Sequence, residues 1–419
     1  MAEKRSMSPV SLAIVGAGDR GSGYARWALA HPDQARIVAV ADPSEERALA
    51  LARPSGARVF PDWRQLAAAG RIADAVVIAT QDADHAEPAE AFAALGCHLL
   101  VEKPLAPTED ECRAIVAAVE RAGVIFAVCH VLRYAPYTDT VRSVLRSGRI
   151  GEIVSVQHLE PVGFWHQAHS YVRGNWRRSD QASFMLLAKS SHDLDWLQYV
   201  VGRPIRRVSS FGGLKHFRPE NRPEGAASRC LDCAVEPDCP YSATRLYFGR
   251  LREGRHGWPL SVVTSTFTEE ALTGALRHGP YGRCVYDCDN DVVDHQVVAM
   301  EFEGGATGTF TMTAFNTGGH RRTRIFGTHG ELSCDGENVV VNDFRTSATA
   351  TLDVTPTGDA TAGGGHAGGD ERLMDAFVRA VATGERDLIR SGPAESLASH
   401  LAVFAAERAR LTDQVITVE

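Results

Sequence analysis

The stretch VSLAIVGAGDRGSGYARWALA, from Val10 to Ala30, joins an apolar strand to a helix through a turn that holds Gly16, Gly18 and Gly21. In a dinucleotide-binding βαβ unit the first glycine permits the tight turn, the second lets a pyrophosphate approach the backbone, and the third lets helix pack on strand. The free N–H groups at the start of the helix then hold the phosphates. This stretch therefore predicts the first unit of a Rossmann domain.

The second strand, RIVAVAD, ends in Asp42, 21 residues after Gly21. A carboxylate at this place accepts hydrogen bonds from the hydroxyls of the adenosine ribose and repels a 2′-phosphate. Asp42 therefore predicts NAD as the cofactor, in preference to NADP.

Apolar strands and amphipathic helices continue to alternate as far as IFAVCHVLRY, which ends at Tyr134. Such alternation predicts a doubly wound parallel sheet, with a ligand crevice at the carboxyl ends of its strands. The tripeptide Glu102-Lys103-Pro104 follows the strand CHLLV, so we expect it in that crevice beside the nicotinamide.

Length and composition indicate a globular chain of two or more domains. It has 419 residues, 44% of them apolar, and Lys plus Arg number 44 against 52 Asp plus Glu. The net charge of −8 includes no basic tract that could follow a phosphate backbone, so nucleic acid is not an expected partner. The first apolar run meets a glycine turn too early for a signal peptide, and no run reaches the roughly 18 residues that cross a bilayer. We predict a soluble, cytoplasmic protein with no membrane partner.

Five of the nine cysteines lie close together in two stretches, RCLDCAVEPDCP (229–240) and GRCVYDCDND (282–291). In a reducing compartment, clustered thiols are metal ligands or catalytic groups more often than disulfides. Four thiolates make the closed tetrahedral site of structural zinc, which we predict here as a staple for a long insertion at about 203–286. An iron–sulfur cluster and free thiols are the alternatives. The predicted metal ligands are Cys230, Cys233, Cys239 and either Cys284 or Cys288.

These motifs together resemble the glucose-fructose oxidoreductase and inositol dehydrogenase family (Gfo/Idh/MocA). The resemblance is carried by the glycine turn, the loop ATQDADH (79–85), Glu102-Lys103-Pro104 and THGELSCDG (328–336). It implies a Rossmann domain over 1–133, then an α/β domain over 134–419 with a large, mainly antiparallel sheet, one face of which forms a dimer or tetramer interface. The cofactor-binding residues expected from motif and resemblance are Gly16, Gly18, Asp19, Arg20, Gly21, Asp42, Thr80, His85, Glu102 and Lys103.

The catalytic segment of that family has an aspartate and, four residues later, a histidine, and it matches LLAKSSHDLDWLQYVVG (186–202) here. His192 takes the histidine position, whereas the aspartate position falls on Ala188, next to Lys189. Removal of a hydride from a carbinol requires a base for the hydroxyl proton, which a neutral histidine supplies near pH 7. We predict Lys103, His192 and Lys189 as the catalytic groups. The alternative is that His192 caps the helix and Lys189 points to solvent.

Aromatic and cationic residues alternate in GFWHQAHSYVRGNWRRSDQAS (163–183). Aromatic rings stack on the apolar faces of sugars, and guanidinium groups bind carboxylate, sulfonate or phosphate. This stretch predicts a site for an anionic sugar, with an aromatic core strip and solvated arginines as the alternative. The predicted substrate-binding residues are Arg133, Tyr134, His166, Tyr171, Trp176 and Arg177. His366, in a glycine-rich loop, is a further candidate, although a solvated histidine is the simpler interpretation.

Three functions follow from the resemblance. The favoured one is an NAD-dependent redox glycoside hydrolase of a pyranoside, similar to sulfoquinovosidases, which oxidises C3, eliminates the aglycone, adds water and reduces the sugar again. Paired lysines around His192 favour it, because elimination requires acid and base groups beyond those of a dehydrogenase. The alternatives are a sugar or inositol dehydrogenase that releases NADH, and an NAD-sensing regulator that is not an enzyme.

Overall fold

The computed structural model describes residues 8–354 and 368–419, so the candidate His366 lies outside the described residues. The described residues form two sheets, of six and of nine strands, each with helices packed on it. This confirms the predicted Rossmann domain followed by an α/β domain with a mainly antiparallel sheet.

The first sheet is parallel, with strand order β3-β2-β1-β4-β5-β6. Its strands are β1 (Val10–Val15), β2 (Ala35–Ala41), β3 (Arg58–Phe60), β4 (Ala75–Ile78), β5 (His98–Val101) and β6 (Phe126–Val128). The helices of this part are α1 (Asp19–Ala30), α2 (Glu45–Ala52), α3 (Trp63–Ala68), α4 (Ala86–Ala94) and α5 (Glu109–Ala122), followed by α6 (Pro136–Arg146).

The glycine turn after β1 works as the sequence predicts. Gly16 has φ +95°, and a Cβ there would lie 2.4 Å from the carbonyl oxygen of Ala79. A Cβ on Gly21 would lie 1.9 Å from the carbonyl oxygen of Gly16. Side chains at these two positions would push β4 and α1 away from the turn.

The second sheet has strand order β14-β13-β12-β11-β7-β10-β9-β8-β15. All of its pairings are antiparallel except β7 with β10. Its strands are β7 (Ile153–Pro161), β8 (Ile205–Gly213), β9 (His295–Phe302), β10 (Thr307–Thr313), β11 (Arg322–Gly327), β12 (Gly330–Cys334), β13 (Asn338–Asp343), β14 (Ala348–Asp353) and β15 (Ile416–Thr417). The remaining helices are α7 (Phe164–His166), α8 (Met185–Val201), α9 (Ala243–Arg252), α10 (Glu269–His278), α11 (Gly369–Thr383) and α12 (Pro393–Thr412).

Helix α8 lies between this sheet and the Rossmann domain, and most of its residues are buried. Helix α11 returns to the Rossmann domain, where Leu373, Met374 and Phe377 join the core that contains Leu12 and Ile14 of β1. The two parts therefore share packing, and α8 carries the predicted catalytic histidine into the space between them.

The long insertion begins later than the sequence predicts. Residues 205–213, IRRVSSFGG, form β8 and pair with β9, so the predicted start at 203 is wrong. The irregular region lies between β8 and β9 and includes α9 and α10. Within the described ranges, no helix combines the length and the apolar character needed to cross a membrane.

The zinc prediction is not supported. Among residues 8–354 and 368–419, no three Cys, His, Asp or Glu side chains are arranged to hold a metal ion. The five cysteines are free thiols. Cys230, Cys233, Cys239 and Cys284 do line one small cavity, but the Arg173 guanidinium lies 3.5 Å from the Cys230 sulfur, and Cys288 donates to the carbonyl oxygen of Cys284. Burial raises the pKa of Cys288 to about 11, so this thiol is protonated and packs as a small apolar group.

Candidate active site

The turn between β1 and α1 leaves room for a dinucleotide. A Cβ on Gly18 would meet no atom within 4 Å, so this side of the turn is open where the pyrophosphate would approach. At the end of β2, Asp42 accepts hydrogen bonds from the backbone N–H groups of Ala17 (2.7 Å) and Ser44 (2.8 Å). These bonds fix the carboxylate beside the turn, where each oxygen retains acceptor capacity for a ribose hydroxyl. The residues present fit an NAD molecule.

Glu102 anchors the end of β5 to helix α1. One carboxylate oxygen accepts hydrogen bonds from the Arg20 guanidinium and the Tyr24 hydroxyl, and the other accepts from the backbone N–H of Lys103 at 3.0 Å. Arg20 also pairs with Asp370. Glu102 and Arg20 thereby hold the backbone of Lys103 at the mouth of the glycine turn.

His85 is fully buried and contacts backbone oxygens on both sides of its ring. Nδ1 lies 2.8 Å from the carbonyl oxygen of Pro104, and Nε2 lies 3.4 Å from that of Thr80. The Thr80 hydroxyl donates to the carbonyl oxygen of Asp84. His85 therefore joins the loop after β4 to the loop after β5, and supports the cofactor crevice from behind.

Lys103 reaches across the crevice to α8. Its Nζ donates a hydrogen bond of 2.7 Å to the carbonyl oxygen of Ala188, the residue at the family's aspartate position. Burial lowers the pKa of Lys103 to about 8; Glu102 opposes this shift and the nearby ammonium of Lys189 adds to it. In a helix the carbonyl oxygen of residue i faces residue i+4, so Lys103 Nζ lies beside the turn of α8 that carries His192.

His192 belongs to a cluster of buried imidazoles. Its ring meets that of His130 edge to face, with centroids 6.0 Å apart, and His130 in turn lies 5.5 Å from His400. Burial lowers the pKa of His130 to about 3, so that ring is neutral near pH 7. His400 Nε2 accepts a hydrogen bond from the N–H of Leu105, which leaves the proton on Nδ1. The His130 ring thus packs against His192, and His400 packs behind His130.

Lys189 faces the sheet and does not extend into solvent. Its Nζ lies 3.0 Å from Glu160 Oε1 on β7. The Arg321 guanidinium, just before β11, bridges Glu160 (3.0 Å) and Asp193 (2.6 Å). Burial raises the pKa of Asp193, but Arg321 and His158 outweigh it and hold that pKa well below its usual range. Two cations and two carboxylates thus form a buried, charge-balanced network next to His192.

Sequence reasoning missed Glu160, Arg321 and Asp193. Asp193 follows His192 directly and could have been suspected for that reason. Glu160 and Arg321 lie 29 residues before and 132 residues after Lys189, in strand and loop segments without a recognisable motif. Only the sheet register brings them together, because β7 pairs with β11.

Arg133 and Tyr134 do not present their polar groups to the crevice, against the prediction that they bind substrate. The guanidinium of Arg133 is buried and forms two hydrogen bonds, of 2.8 and 2.7 Å, with the Asp195 carboxylate. The hydroxyl of Tyr134 contacts the N–H of Arg390 and the hydroxyl of Ser391. Arg133 is therefore engaged by Asp195 of α8, and Tyr134 by the segment before α12.

The aromatic stretch reaches the site only in part. Burial, followed by the charges of Lys189, His169 and Lys103, lowers the pKa of His166, so this ring lies within the electrostatic reach of both lysines. Tyr171 is buried against Trp176, whose Nε1 donates to Asp82 at 3.2 Å.

The arginines of this stretch are engaged elsewhere. Arg177 pairs with Asp289 at 3.1 Å, and Arg173 is buried, where it donates to the carbonyl oxygens of Arg283 and Tyr241. They offer no free guanidinium fork, so the predicted anion site within 163–183 is not formed by Arg173 or Arg177.

Two family profiles match the sequence. The first, described as the Gfo/Idh/MocA oxidoreductase family, NAD-binding Rossmann fold, covers residues 10–130. The second, described as the C-terminal alpha/beta domain of the same family, covers residues 142–407.

Similar proteins include the putative oxidoreductase YteT of Bacillus subtilis, 22% identical over 72% of this chain and 71% of that protein. The 2,7-anhydro-N-acetylneuraminate hydratase of Escherichia coli is 31% identical over 36% of this chain and 39% of the relative. The inositol 2-dehydrogenase of Rubrobacter xylanophilus is 31% identical over 48% of this chain and 54% of that protein. The chain thus spans about half the length, or less, of the last two relatives.

Solved structures share the whole fold. An oxidoreductase from Agrobacterium radiobacter, in complex with NAD+, L-tartaric acid and magnesium, superposes with a TM-score of 0.71 at 17% sequence identity, over 98% of each chain. This similarity concerns the fold alone.

Proposed function

Because the chain belongs to the Gfo/Idh/MocA oxidoreductase family, we propose that it is an NAD-dependent enzyme that cleaves a glycoside by transient oxidation of the sugar ring. The observation that carries this proposal is the ion pair between Lys189 and Glu160. It adds an acid–base pair to Lys103 and His192, which together suffice for a simple dehydrogenase.

The cofactor would be held by the turn at Gly16, Gly18 and Gly21, by α1 and by Asp42. When bound there, NAD can accept a hydride from a ring carbon and later return it.

Lys103 and His192 contact the hydroxyl group of the carbon that is oxidised. The imidazole of His192 takes the hydroxyl proton as the carbonyl forms. The Lys103 ammonium, with one N–H bound to Ala188, has two N–H groups left to stabilise the developing negative charge on that oxygen. Both groups return to their starting states when the hydroxyl is restored.

Lys189 and Glu160 serve the steps at the neighbouring carbons. A carbonyl at C3 acidifies the proton on C2, so a base removes that proton while the bond between C1 and the glycosidic oxygen breaks. The aglycone leaves with a proton, and water then adds its oxygen to C1 and a proton to C2. The Lys189–Glu160 pair can exchange these protons without any net change in its charge.

A second candidate is an NAD-dependent dehydrogenase that releases the oxidised sugar. Similarity to an inositol 2-dehydrogenase favours it, just as similarity to an anhydrosugar hydratase favours lyase and hydration chemistry. A sulfoquinovoside substrate finds no support, since the arginines expected to hold a sulfonate pair with Asp289 or with backbone carbonyls.

We also propose a homo-oligomer assembled through the free face of the larger sheet. Helices α8 and α12 cover one face of this sheet, whereas Val154 and Phe211 on the other are 52% and 67% exposed. Exposed apolar residues on a flat sheet are typical of an interface. Light scattering should show a dimer or tetramer, and Phe211→Glu should shift it towards the monomer.

Aryl glycosides test the proposed reaction directly. We expect aglycone release that requires NAD yet accumulates no NADH, because the hydride returns to the sugar. Net NADH with an intact glycosidic bond would instead support the dehydrogenase.

A further inference from the structure

A cavity lies between the segment 164–168 and helix α9 of the insertion. Its volume is about 280 Å³, at the low end of ligand pockets, so it suits a single ring. The residues that matter for its chemistry are Phe164, Trp165, Tyr241, Arg245, Arg250 and Arg255.

One part of the cavity wall is aromatic. Phe164 and Tyr241 meet edge to face at 6.4 Å, and the half-buried indole of Trp165 lies 5.4 Å from Trp258 of the insertion. Rings of this kind offer flat apolar surfaces, against which the C–H face of a pyranose packs. The insertion therefore completes a sugar-stacking surface that the 164–168 segment begins.

Another part of the wall is cationic. Three arginines besides the already engaged Arg173 line the cavity, with one acidic residue, Glu253, within the part of the chain that the structure describes. Glu253 pairs with Arg255 at 3.3 Å, and Arg245 donates to a backbone carbonyl oxygen. The guanidinium of Arg250 lies over the Trp165 ring, 5.5 Å from its centre. The excess of positive charge favours an anionic ligand.

Gly249 keeps the cavity open. It lies inside α9, where a glycine is about 1 kcal/mol less favourable than alanine. A Cβ there would meet no atom within 4 Å, and the residue lines the cavity. A larger side chain at this position would therefore extend into the cavity.

The cavity borders His166, because its wall includes the neighbouring Trp165. The ring of Trp165 stacks beside that of His166, with centroids 5.6 Å apart, and His166 lies within the field of Lys103 and Lys189. A substrate held at Lys103 and His192 could therefore extend past His166 towards Trp165.

We propose that this cavity is the aglycone subsite, and that it binds a sugar ring bearing a carboxylate or sulfate group. This rests on the proposed function, since only a glycoside has a second unit to place there. The stacking surface holds the ring, and Arg250 with Arg245 holds its anionic group.

Binding to the full-length protein tests the subsite without any need for turnover. Calorimetry or saturation-transfer NMR would compare methyl β-D-glucuronide, glucose 6-sulfate and neutral methyl β-D-glucoside. We expect either anionic sugar to bind about tenfold more tightly than the neutral one, and the tighter of the two identifies the group. Gly249→Leu, which fills the cavity and suits a helix, and Arg250→Gln should both remove this preference. Arg252→Gln, on the same helix but outside the cavity, should retain it.

Equal binding of anionic and neutral sugars, or wild-type binding by Gly249→Leu and Arg250→Gln, would overturn the subsite. Such a result would leave NAD-dependent aglycone release untouched. Anion-selective binding without any turnover would instead refute the proposed function and leave an anionic sugar site in place.

Discussion

The Nζ atom of Lys103 lies 2.7 Å from the carbonyl oxygen of Ala188, one helical turn before His192. This contact joins the end of β5, which lines the cofactor crevice, to the helix that lies on the substrate side. A sugar hydroxyl that contacts both Lys103 and His192 must lie at this junction, and the chemistry is assigned there for that reason.

Activity should fall as the pH rises through about 8. Burial lowers the pKa of Lys103 to that value, and the proposed role requires its ammonium form, which is present below the pKa and lost above it. The ammonium of Lys189 contributes to the lowering, so Lys189→Met should move the basic limb of the kcat/KM profile to higher pH. Lys189→Arg keeps the charge and should leave the limb near its wild-type position.

If the basic limb stays in place in Lys189→Met, the charge of Lys189 does not lower the pKa of Lys103. Activity that rises through pH 8 would show that Lys103 acts as a neutral amine, contrary to its proposed role as the ammonium that stabilises the alkoxide.

Glu160→Gln should disable Lys189 without unfolding the site. Arg321 keeps its contact with Asp193, whereas Lys189 loses the carboxylate that positions it. We expect proton exchange at C2 to slow on the order of 10²-fold, with the first hydride transfer changed little in single-turnover measurements. Glu407→Gln, which removes a less deeply buried carboxylate that is likewise paired with a cation, Arg410, is the control. Equal losses in both steps would point to a purely structural role for Glu160.

Asp42→Ser should erode the preference for NAD. Its carboxylate stands beside the turn at Ala17 and would repel the additional phosphate of NADP. The ratio of the Kd values for NADP and NAD should fall by at least tenfold, as measured by calorimetry. A wild-type protein that binds both cofactors equally would contradict this assignment.

Arg173→Met should destabilise the region that joins the aromatic stretch to the insertion. The buried guanidinium donates to the carbonyl oxygens of Arg283 and Tyr241, and its removal leaves both without that partner. The free energy of unfolding in urea should decrease by about 2–4 kcal/mol. Arg177→Met, which breaks a more exposed pair with Asp289, should cost less than about 1 kcal/mol.

The Rossmann domain could be predicted well from the sequence, because the residues that define it lie close together in the chain. Gly16, Gly18 and Asp42 belong to one βαβ unit, and each residue has a physical reason to be where it is. The site on the second sheet is different, since Glu160 and Arg321 meet Lys189 only through the pairing of β7 with β11.

Two interpretations of local composition find no support in the structure, for the same reason. Arg173 and Arg177 were expected to bind an anion, but Asp289 and the carbonyl of Arg283 lie more than 100 residues away in the chain and bind them first. The clustered cysteines were expected to bind zinc, yet Arg173 lies beside the Cys230 sulfur. Spacing along the chain shows which groups come close, and only tertiary packing shows which partner each one takes.

Deuterium at C2 tests the central claim most directly. The protein would be incubated with NAD and a reactive glycoside in deuterated water, and the sugar product examined by NMR. The transient oxidation mechanism predicts deuterium at C2, a hydroxyl from solvent at C1 and no accumulated NADH. In Lys189→Met, the entry of deuterium at C2 should be the first of these to be lost. Sugar released without deuterium at C2, or NADH formed in proportion to product, would contradict it and leave a simple hydrolase or a dehydrogenase.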